Sequence, residues 1–496
     1  MTNKCENCDC ATATSEKFKE ATEKITKKYG AVLQKLADSE LEDKRQEVLK
    51  SVSEFIMMKK GRESWTAGED WVKYSGPHFN DEEYVAAVDS LLTEWLIFGE
   101  KAREFEHKFS PLMGTKTGVL TNSGSSANLL MVSSLTSKRK TNKWYLPKGS
   151  KIITPVVCFP TTLNPIIQNG FEPIFVDVEI PSLNIDLDKV EKLLKDTKAL
   201  GYEMPKAIMF AHVLGNPPDM DRLMALCDEY DLLFLEDACD ALGSTYDGKK
   251  LGSFGLMSTC SFFPAHHMTM GEGGFIATNE HRLDRILRAF RDWGRACYCN
   301  ERKPGDVTEE TACGGRFNTW LPGAPDAIYD HRYVFDEIGY NIKPLEHQAA
   351  MGLAQIKKLP EMEQARRHNF DRMKKIFEPY QKYLHLPVAT EKADPCWFGF
   401  LLTVKDDAPF TKQDLVDHLE ANKIQTRSYF TGNVLAHPGY MHLHNFNATG
   451  LAQMYPVATK VTKDTFFMGT FIGLTDDKMR YICTKVDEFF EPVLHG

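Results

Sequence analysis

Residues 252–280 read GSFGLMSTCSFFPAHHMTMGEGGFIATNE. A short apolar strand breaks at Pro264, a histidine pair follows at His266 and His267, and Gly271, Gly273 and Gly274 carry the chain into a second apolar run. A hydrophobic run that stops at proline and resumes through a glycine-rich turn presents the intervening residues as a loop. Upstream, LLFLEDACDALGS at 232–244 is a buried-strand pattern ending in Glu236, Asp237 and Asp240. Open α/β sheets hold their ligands at the C-terminal ends of such strands. Further upstream, TNSGSSANLL at 121–130 puts Ser123, Gly124, Ser125 and Ser126 at the start of a helical pattern. Hydroxyls, backbone N–H groups and the helix dipole can meet a phosphate there. Phosphate cradle, strand-end acids and histidine loop form one constellation.

Strand and helix signals alternate from Gly118 to about Phe275: GVLTNSG, ANLLMVSSL, KIITPVVCF, TTLNPIIQ, PIFVDV, DLDKVEKLL, AIMFAHV, MDRLMALC, LLFLED and CSFF. This predicts an α/β fold, a mainly parallel sheet flanked by helices on both faces. With 496 residues and 42% hydrophobic composition the chain buries a large core in more than one domain. We expect an N-terminal helical extension over 1–65, a large domain carrying the constellation over 66–363, and a smaller α+β domain over 364–496. The last is drawn from a long helix near Gln364, the strand WFGFLLTV, DLVDHLEANKI and a final amphipathic helix near DDKMRYICTKVDEFF.

The net charge of −9 comes from mixed signs without a basic stripe, which argues against nucleic acid as a partner. No segment approaches ~18 uninterrupted apolar residues, and MTNKCENCDC lacks an apolar export segment, so a soluble cytoplasmic protein with no membrane partner is expected. Twelve cysteines in such a chain are poorly explained by disulfides, which belong to small secreted domains. Some read as metal ligands, the rest as small buried residues. Cys5, Cys8 and Cys10 have metal-ligand spacing; the plainer reading of that stretch is an amphipathic helix pair packed on the body.

The histidine loop, strand-end acids and serine-rich turn together resemble the sugar aminotransferase and dehydratase branch of the fold-type I vitamin B6 enzymes, the DegT/DnrJ/EryC1/StrS family. There the loop reads Ser-Phe-x-Pro-x-Lys, and the lysine holds pyridoxal phosphate as a Schiff base. Here Ser261, Phe262 and Pro264 match and the lysine position is His266. The resemblance implies that Ser125, Ser126 and Ser261 bind the cofactor phosphate and that Phe159 lies against the pyridine ring. It implies that Asp237 meets the ring nitrogen, with Asp240 beside it as in the dehydratase branch. Asn341, in GYNIKPLEHQ, would reach the phosphate of a neighbouring subunit, which implies a homodimer. Tyr74, Trp95 and Arg427 would line the sugar site. A histidine cannot form the internal Schiff base, so pyridoxamine phosphate is expected, held noncovalently, with His266 as general base; an imidazole of ordinary pKa, ~6.5, suits that role.

Cys239, Cys297, Cys299 and Cys313 are spaced by 57, one and thirteen residues. The first two intervals match the iron–sulfur motif of dehydratases that make 3-deoxy and 3,6-dideoxy sugars. The third is longer, as a polar insertion, NERKPGDVTEE, would make it. Four thiolates suit a [2Fe–2S] cluster; a tetrahedral zinc would use the same ligands. The resemblance thus implies a CDP-4-dehydro-6-deoxy-D-glucose 3-dehydratase of deoxysugar and lipopolysaccharide O-antigen biosynthesis, whose cluster is fed by a separate flavin or ferredoxin-type reductase. Its rivals are a sugar aminotransferase, a cluster-independent 3-dehydratase, and a non-catalytic B6-fold sensor or binding protein.

Overall fold

The computed structural model describes residue 24 and residues 38–297 and 316–495. Cys5, Cys8, Cys10, Cys299 and Cys313 lie outside the described residues.

Seven short strands make the central sheet: β1 (Thr117–Thr121), β2 (Lys151–Pro155), β3 (Glu172–Val176), β4 (Ala207–Ala211), β5 (Leu233–Asp237), β6 (Met257–Ser261) and β7 (Gly274–Thr278). Their order is β1-β7-β6-β5-β4-β2-β3. β7 runs antiparallel to both neighbours, and the other pairings are parallel. Alternate side chains of these strands enter two separate cores, because successive residues of a strand point to opposite faces. Leu120, Ile153, Phe210, Phe234 and Phe275 join one core with Phe105, Phe109 and Phe262. Val119, Ile152, Met209, Leu235 and Ile276 join the other with Leu130, Leu287 and Phe290. Both faces are therefore covered, which is why the strands read as continuous apolar runs.

The C-terminal sheet is antiparallel and contains β8 (Leu384–His385), β9 (Gly399–Val404), β10 (Arg427–Ser428) and β11 (Thr465–Gly469) in the order β8-β9-β11-β10. Phe400, Phe466, Phe377 and Phe490 share its core, each contributing about 1.5–3 kcal/mol by burial. One helix, Glu346–Phe377, reaches from the first core to this one. The sequence places a long helix from about residue 364; in the structure it begins at Glu346 and runs through that position unbroken. At the other end, a helix over 38–60 docks on helix Asp81–Leu91 through Arg45 to Asp89, 2.6 Å, and Ser53 to Asp81, 2.5 Å.

Candidate active site

β1, β5 and β6 run in the same direction and end at one edge of the sheet, with β7 between β1 and β6, and the loops leaving them make the site. Gly274 pairs with Thr121 on one side and Ser261 on the other. A side chain at Gly274 would collide with the Ser123 carbonyl and come within 2.6 Å of the Gly124 nitrogen. The glycine lets β7 press against the first turn of helix Gly124–Ser134. Ser123 caps that helix, its hydroxyl accepting from Ser126 N–H at 3.1 Å. The remaining first-turn N–H groups have no intrahelical acceptor, so this end attracts an anion. A Cβ on Gly124 would lie 2.5 Å from Ser261 Cβ and 2.8 Å from its hydroxyl; the bare glycine keeps open a cradle between the two serine-bearing turns.

Asp237 ends β5 and is 4% exposed. Its Oδ2 accepts from Asn128 Nδ2 at 2.8 Å and Thr162 Oγ1 at 2.7 Å, and its Oδ1 from Cys239 N–H at 3.2 Å. Asn128 is oriented in turn by Thr259, whose hydroxyl donates to Asn128 Oδ1 at 2.7 Å. Glu236, one residue earlier, points away from the site. It accepts from Gly252 N–H at 2.7 Å and Gly255 N–H at 2.5 Å, and lies 3.2 Å from His212 Nε2. It braces the turn that leads into β6.

His266 Nδ1 lies 3.3 Å from Asp240 Oδ1, close enough for a charge contact but without hydrogen-bond alignment. Its ring is tilted against Phe398 at 5.3 Å. Buried Arg366 reaches the loop from the long helix, donating to the carbonyls of His266, 3.1 Å, and Phe398, 3.1 Å. Burial pulls its pKa down to about 10. Ser75 Oγ donates to the Ala265 carbonyl at 2.6 Å.

These groups surround a cavity of about 280 Å³ whose walls include Tyr74, Ser125, Phe159, Asp237, Cys239, Asp240, Ser261, His266 and Arg427. The Arg427 guanidinium lies 4.2 Å over the Tyr74 ring. Ser126 stands one residue behind the wall, bonded through its hydroxyl to Ser123 at 3.0 Å. Trp95 and Asn341 are not among the lining residues. Trp95 is 57% exposed, with its indole N–H donating to the Phe98 carbonyl at 3.4 Å. Asn341 is exposed and bridges to Asp292. The parts played by Asn128, Thr162, Ser75, Arg366 and Phe398 have no local sequence signature, because each meets the site from a distant segment.

The donor set fits pyridoxal-derived phosphate cofactors: an open anion cradle at one end, a buried carboxylate with one oxygen only lightly bonded at the other, and Phe159, half exposed to the cavity, between. For a metal cluster the described residues offer less. No three His, Cys, Asp or Glu side chains among them converge as a metal site. Cys239 lines the cavity, and burial, with Asp237 beside it, pushes its thiol well above the ordinary range. A metal would have to displace that proton.

Comparison with known proteins agrees with the fold and with a pyridoxal-derived cofactor. Over 446 residues the chain is 39% identical to the lipopolysaccharide biosynthesis protein RfbH of Salmonella typhimurium, covering 90% of this chain and 98% of that one. It is 40% identical to dTDP-4-dehydro-2,6-dideoxy-D-glucose 3-dehydratase of Saccharopolyspora spinosa, covering 90% and 92%. The solved structure of E. coli GDP-4-keto-6-deoxy-D-mannose-3-dehydratase with bound hydrated PLP superposes with a TM-score of 0.70 at 29% identity, covering 84% of this chain and 99% of that one. Residues 78–487 match the DegT/DnrJ/EryC1/StrS aminotransferase family, and with that match and relatives 39–40% identical over 90% of its length, the chain belongs to that family.

Proposed function

We propose that the protein removes the C3 hydroxyl of a nucleotide-linked 4-keto-6-deoxyhexose, CDP-4-dehydro-6-deoxy-D-glucose, with noncovalent pyridoxamine phosphate. The observation that carries this is His266 at the cavity wall, in the loop position where the aminotransferases keep lysine. The named relatives include 3-dehydratases of 4-keto sugars, which supports a dehydratase over an aminotransferase.

When bound, the cofactor supplies an amine for the substrate's 4-keto carbon and a ring that withdraws electrons. Gly124, Ser125 and Ser261, with Ser126 behind them, would hold its phosphate, Phe159 would lie against its ring, and the Asp237 carboxylate would keep the ring nitrogen protonated. With Asp240 at Nδ1, His266 Nε2 takes the proton whose removal leads to loss of the 3-hydroxyl. Tyr74 and Arg427 meet the nucleotide sugar at the mouth. Phe398, Phe430 and Phe467 in the wall keep water from the reacting atoms.

Replacing C–OH by C–H consumes two electrons. Cys239, Cys297, Cys299 and Cys313 would hold a [2Fe–2S] cluster, which would supply one-electron transfer from a separate flavin or ferredoxin-type reductase; the support is their spacing and the joint occurrence with His266. A homodimer sharing Asn341 rests on the family resemblance, and the exposed residues Leu91, Leu92, Trp95, Leu96 and Ile97 offer it an apolar surface. The reaction belongs to deoxysugar and lipopolysaccharide biosynthesis in the cytoplasm.

The deciding experiment is anaerobic purification followed by visible spectroscopy, iron and sulfide analysis, and turnover of the CDP sugar with a reductase. Iron–sulfur bands and a 3-deoxy product are expected. A 4-amino sugar formed with glutamate would replace this reading by the aminotransferase one, and dehydration by an iron-free protein would remove the cluster.

A further inference from the structure

His266 has a neighbour that faces the other way. His267 is 2% exposed, and its Nε2 lies 2.5 Å from the carbonyl oxygen of Cys396. A carbonyl only accepts, so Nε2 carries the hydrogen. Burial first, then the Arg366 guanidinium, with His266 and Arg367 adding to it, hold the ring's pKa well below the ordinary value. The ring stays a neutral donor near pH ~7.

Cys396 is itself anchored. Its N–H donates to Ser244 Oγ at 2.8 Å, and Ser244 ends a run of tight turns, Ala241 N–H to Ala238 and Ser244 N–H to Ala241, that contains Asp240. The contacts close a ring: Asp240 through the turn to Ser244, Ser244 to Cys396, Cys396 to His267, His267 by one peptide bond to His266, and His266 back to Asp240 at 3.3 Å. A void of about 10 Å³ bordered by both histidines, Arg366 and Gln355 lies behind the loop. The His267 bond acts there together with the Arg366 bond to the His266 carbonyl and the Ser75 bond to the Ala265 carbonyl, and it is the one of the three that ties the loop to the Cys396 segment.

We propose that His267 is a positioning residue whose Nε2–H bond to the Cys396 carbonyl fixes the separation of His266 and Asp240. This rests on His266 acting as the base.

His267→Met keeps the volume and removes the donor; His267→Gln puts an amide N–H near the place of Nε2. In the cofactor-loaded protein, the methionine variant should lose about 10- to 100-fold in kcat, as a displacement near ~1 Å would cause. Its KM and cofactor affinity should stay close to wild type while its melting temperature falls with the orphaned Cys396 carbonyl, and the glutamine variant should recover most of the kcat and of the stability. Independently of activity, ¹⁵N-histidine spectra should show His267 neutral and protonated on Nε2 across neutral pH. Full kcat in the methionine variant, or equal loss in both variants with equal loss of thermal stability, overturns the proposal. So does a His267 ring protonated on Nδ1 or charged near pH ~6.5. If the wild type dehydrates no sugar, the proposed function falls and the spectra alone judge the tie; they do so as well if His267→Met fails to fold.

Discussion

Asp237→Asn tests the cofactor end of the site with a change of one atom. Two donors, Asn128 Nδ2 and Thr162 Oγ1, converge on Oδ2 at 2.8 and 2.7 Å. Thr259 donates to the Asn128 oxygen at 2.7 Å, and keeping that bond leaves the Asn128 NH₂ toward residue 237. The new amide then keeps its oxygen at the Oδ2 place and puts its NH₂ where Oδ1 was, facing the Cys239 N–H now at 3.2 Å from that oxygen. One buried donor loses its acceptor, a cost of about 1–3 kcal/mol, so the variant should fold with a lower urea midpoint. With the cofactor held as proposed, the same NH₂ would face its ring nitrogen, where a donor cannot hold a proton. Losing that charge-assisted bond should weaken cofactor binding about 10- to 100-fold and lower turnover at saturating cofactor about 10²–10³-fold. Fluorescence titration measures the first and chromatographic product analysis the second. Asp240→Asn, which gives up a contact of 3.3 Å to His266 and none to those donors, should lose less, about tenfold. Wild-type binding and turnover in Asp237→Asn, or a larger loss in Asp240→Asn, would refute the assignment of the ring nitrogen to Asp237.

His266→Asn should keep cofactor affinity within about threefold and lower dehydration about 10²–10⁴-fold, read as release of the 3-hydroxyl into labelled water. Gly124→Ala drives a methyl into Ser261 at 2.5 Å; it should weaken binding of the phosphorylated cofactor about tenfold or more while leaving that of dephospho-pyridoxamine unchanged, compared by equilibrium dialysis. Cys299→Ser should retain reversible exchange of the 3-hydroxyl and abolish net 3-deoxy product, whereas Cys5→Ser should retain both, measured with the reductase present and absent. Stability should depend on pH through His267: its folded pKa is depressed by burial, so below the unfolded value of about 6.5 the unfolded chain takes a proton that the folded one refuses. The stabilisation is complete above that pH and falls as the pH drops, by up to about 1.4 kcal/mol per unit, and urea titrations of His267→Gln should show the slope removed.

The sheet was legible because its strands are buried on both faces and therefore read as unbroken apolar runs, LLFLED and CSFF among them. The acids and serines of the site were legible for the same reason: they stand where those runs end. The direction of β7 was not read, although 262–273 offers no helical pattern for the crossover a parallel neighbour needs. The partners of Asp237 were illegible, since Asn128 and Thr162 come from two other helices, 109 and 75 residues away. Trp95 lies outside the cavity that Tyr74 and Arg427 line in one chain, so its place at the sugar site rests on the resemblance. Where spacing is the only signal, as for Cys299 and Cys313, sequence remains the sole guide to the ligand set.

The helix Glu346–Phe377 joins more than two cores. At 32 residues it is a rod of about 48 Å. Near its start Glu346 accepts from Gly99 N–H at 2.7 Å, and twenty positions on Arg366 grips the His266 carbonyl and the Phe398 carbonyl at once. The histidine loop and the Phe398 wall of the cavity thus share one guanidinium. For protein engineering this rules out the obvious graft: a C-terminal domain exchanged with a relative at any seam along the rod would separate Arg366 either from the loop it holds or from the wall it came with. New sugar specificity is better sought in the rim, at Tyr74, Arg427 and Phe430, where side chains can be changed without disturbing the hand that holds the histidine.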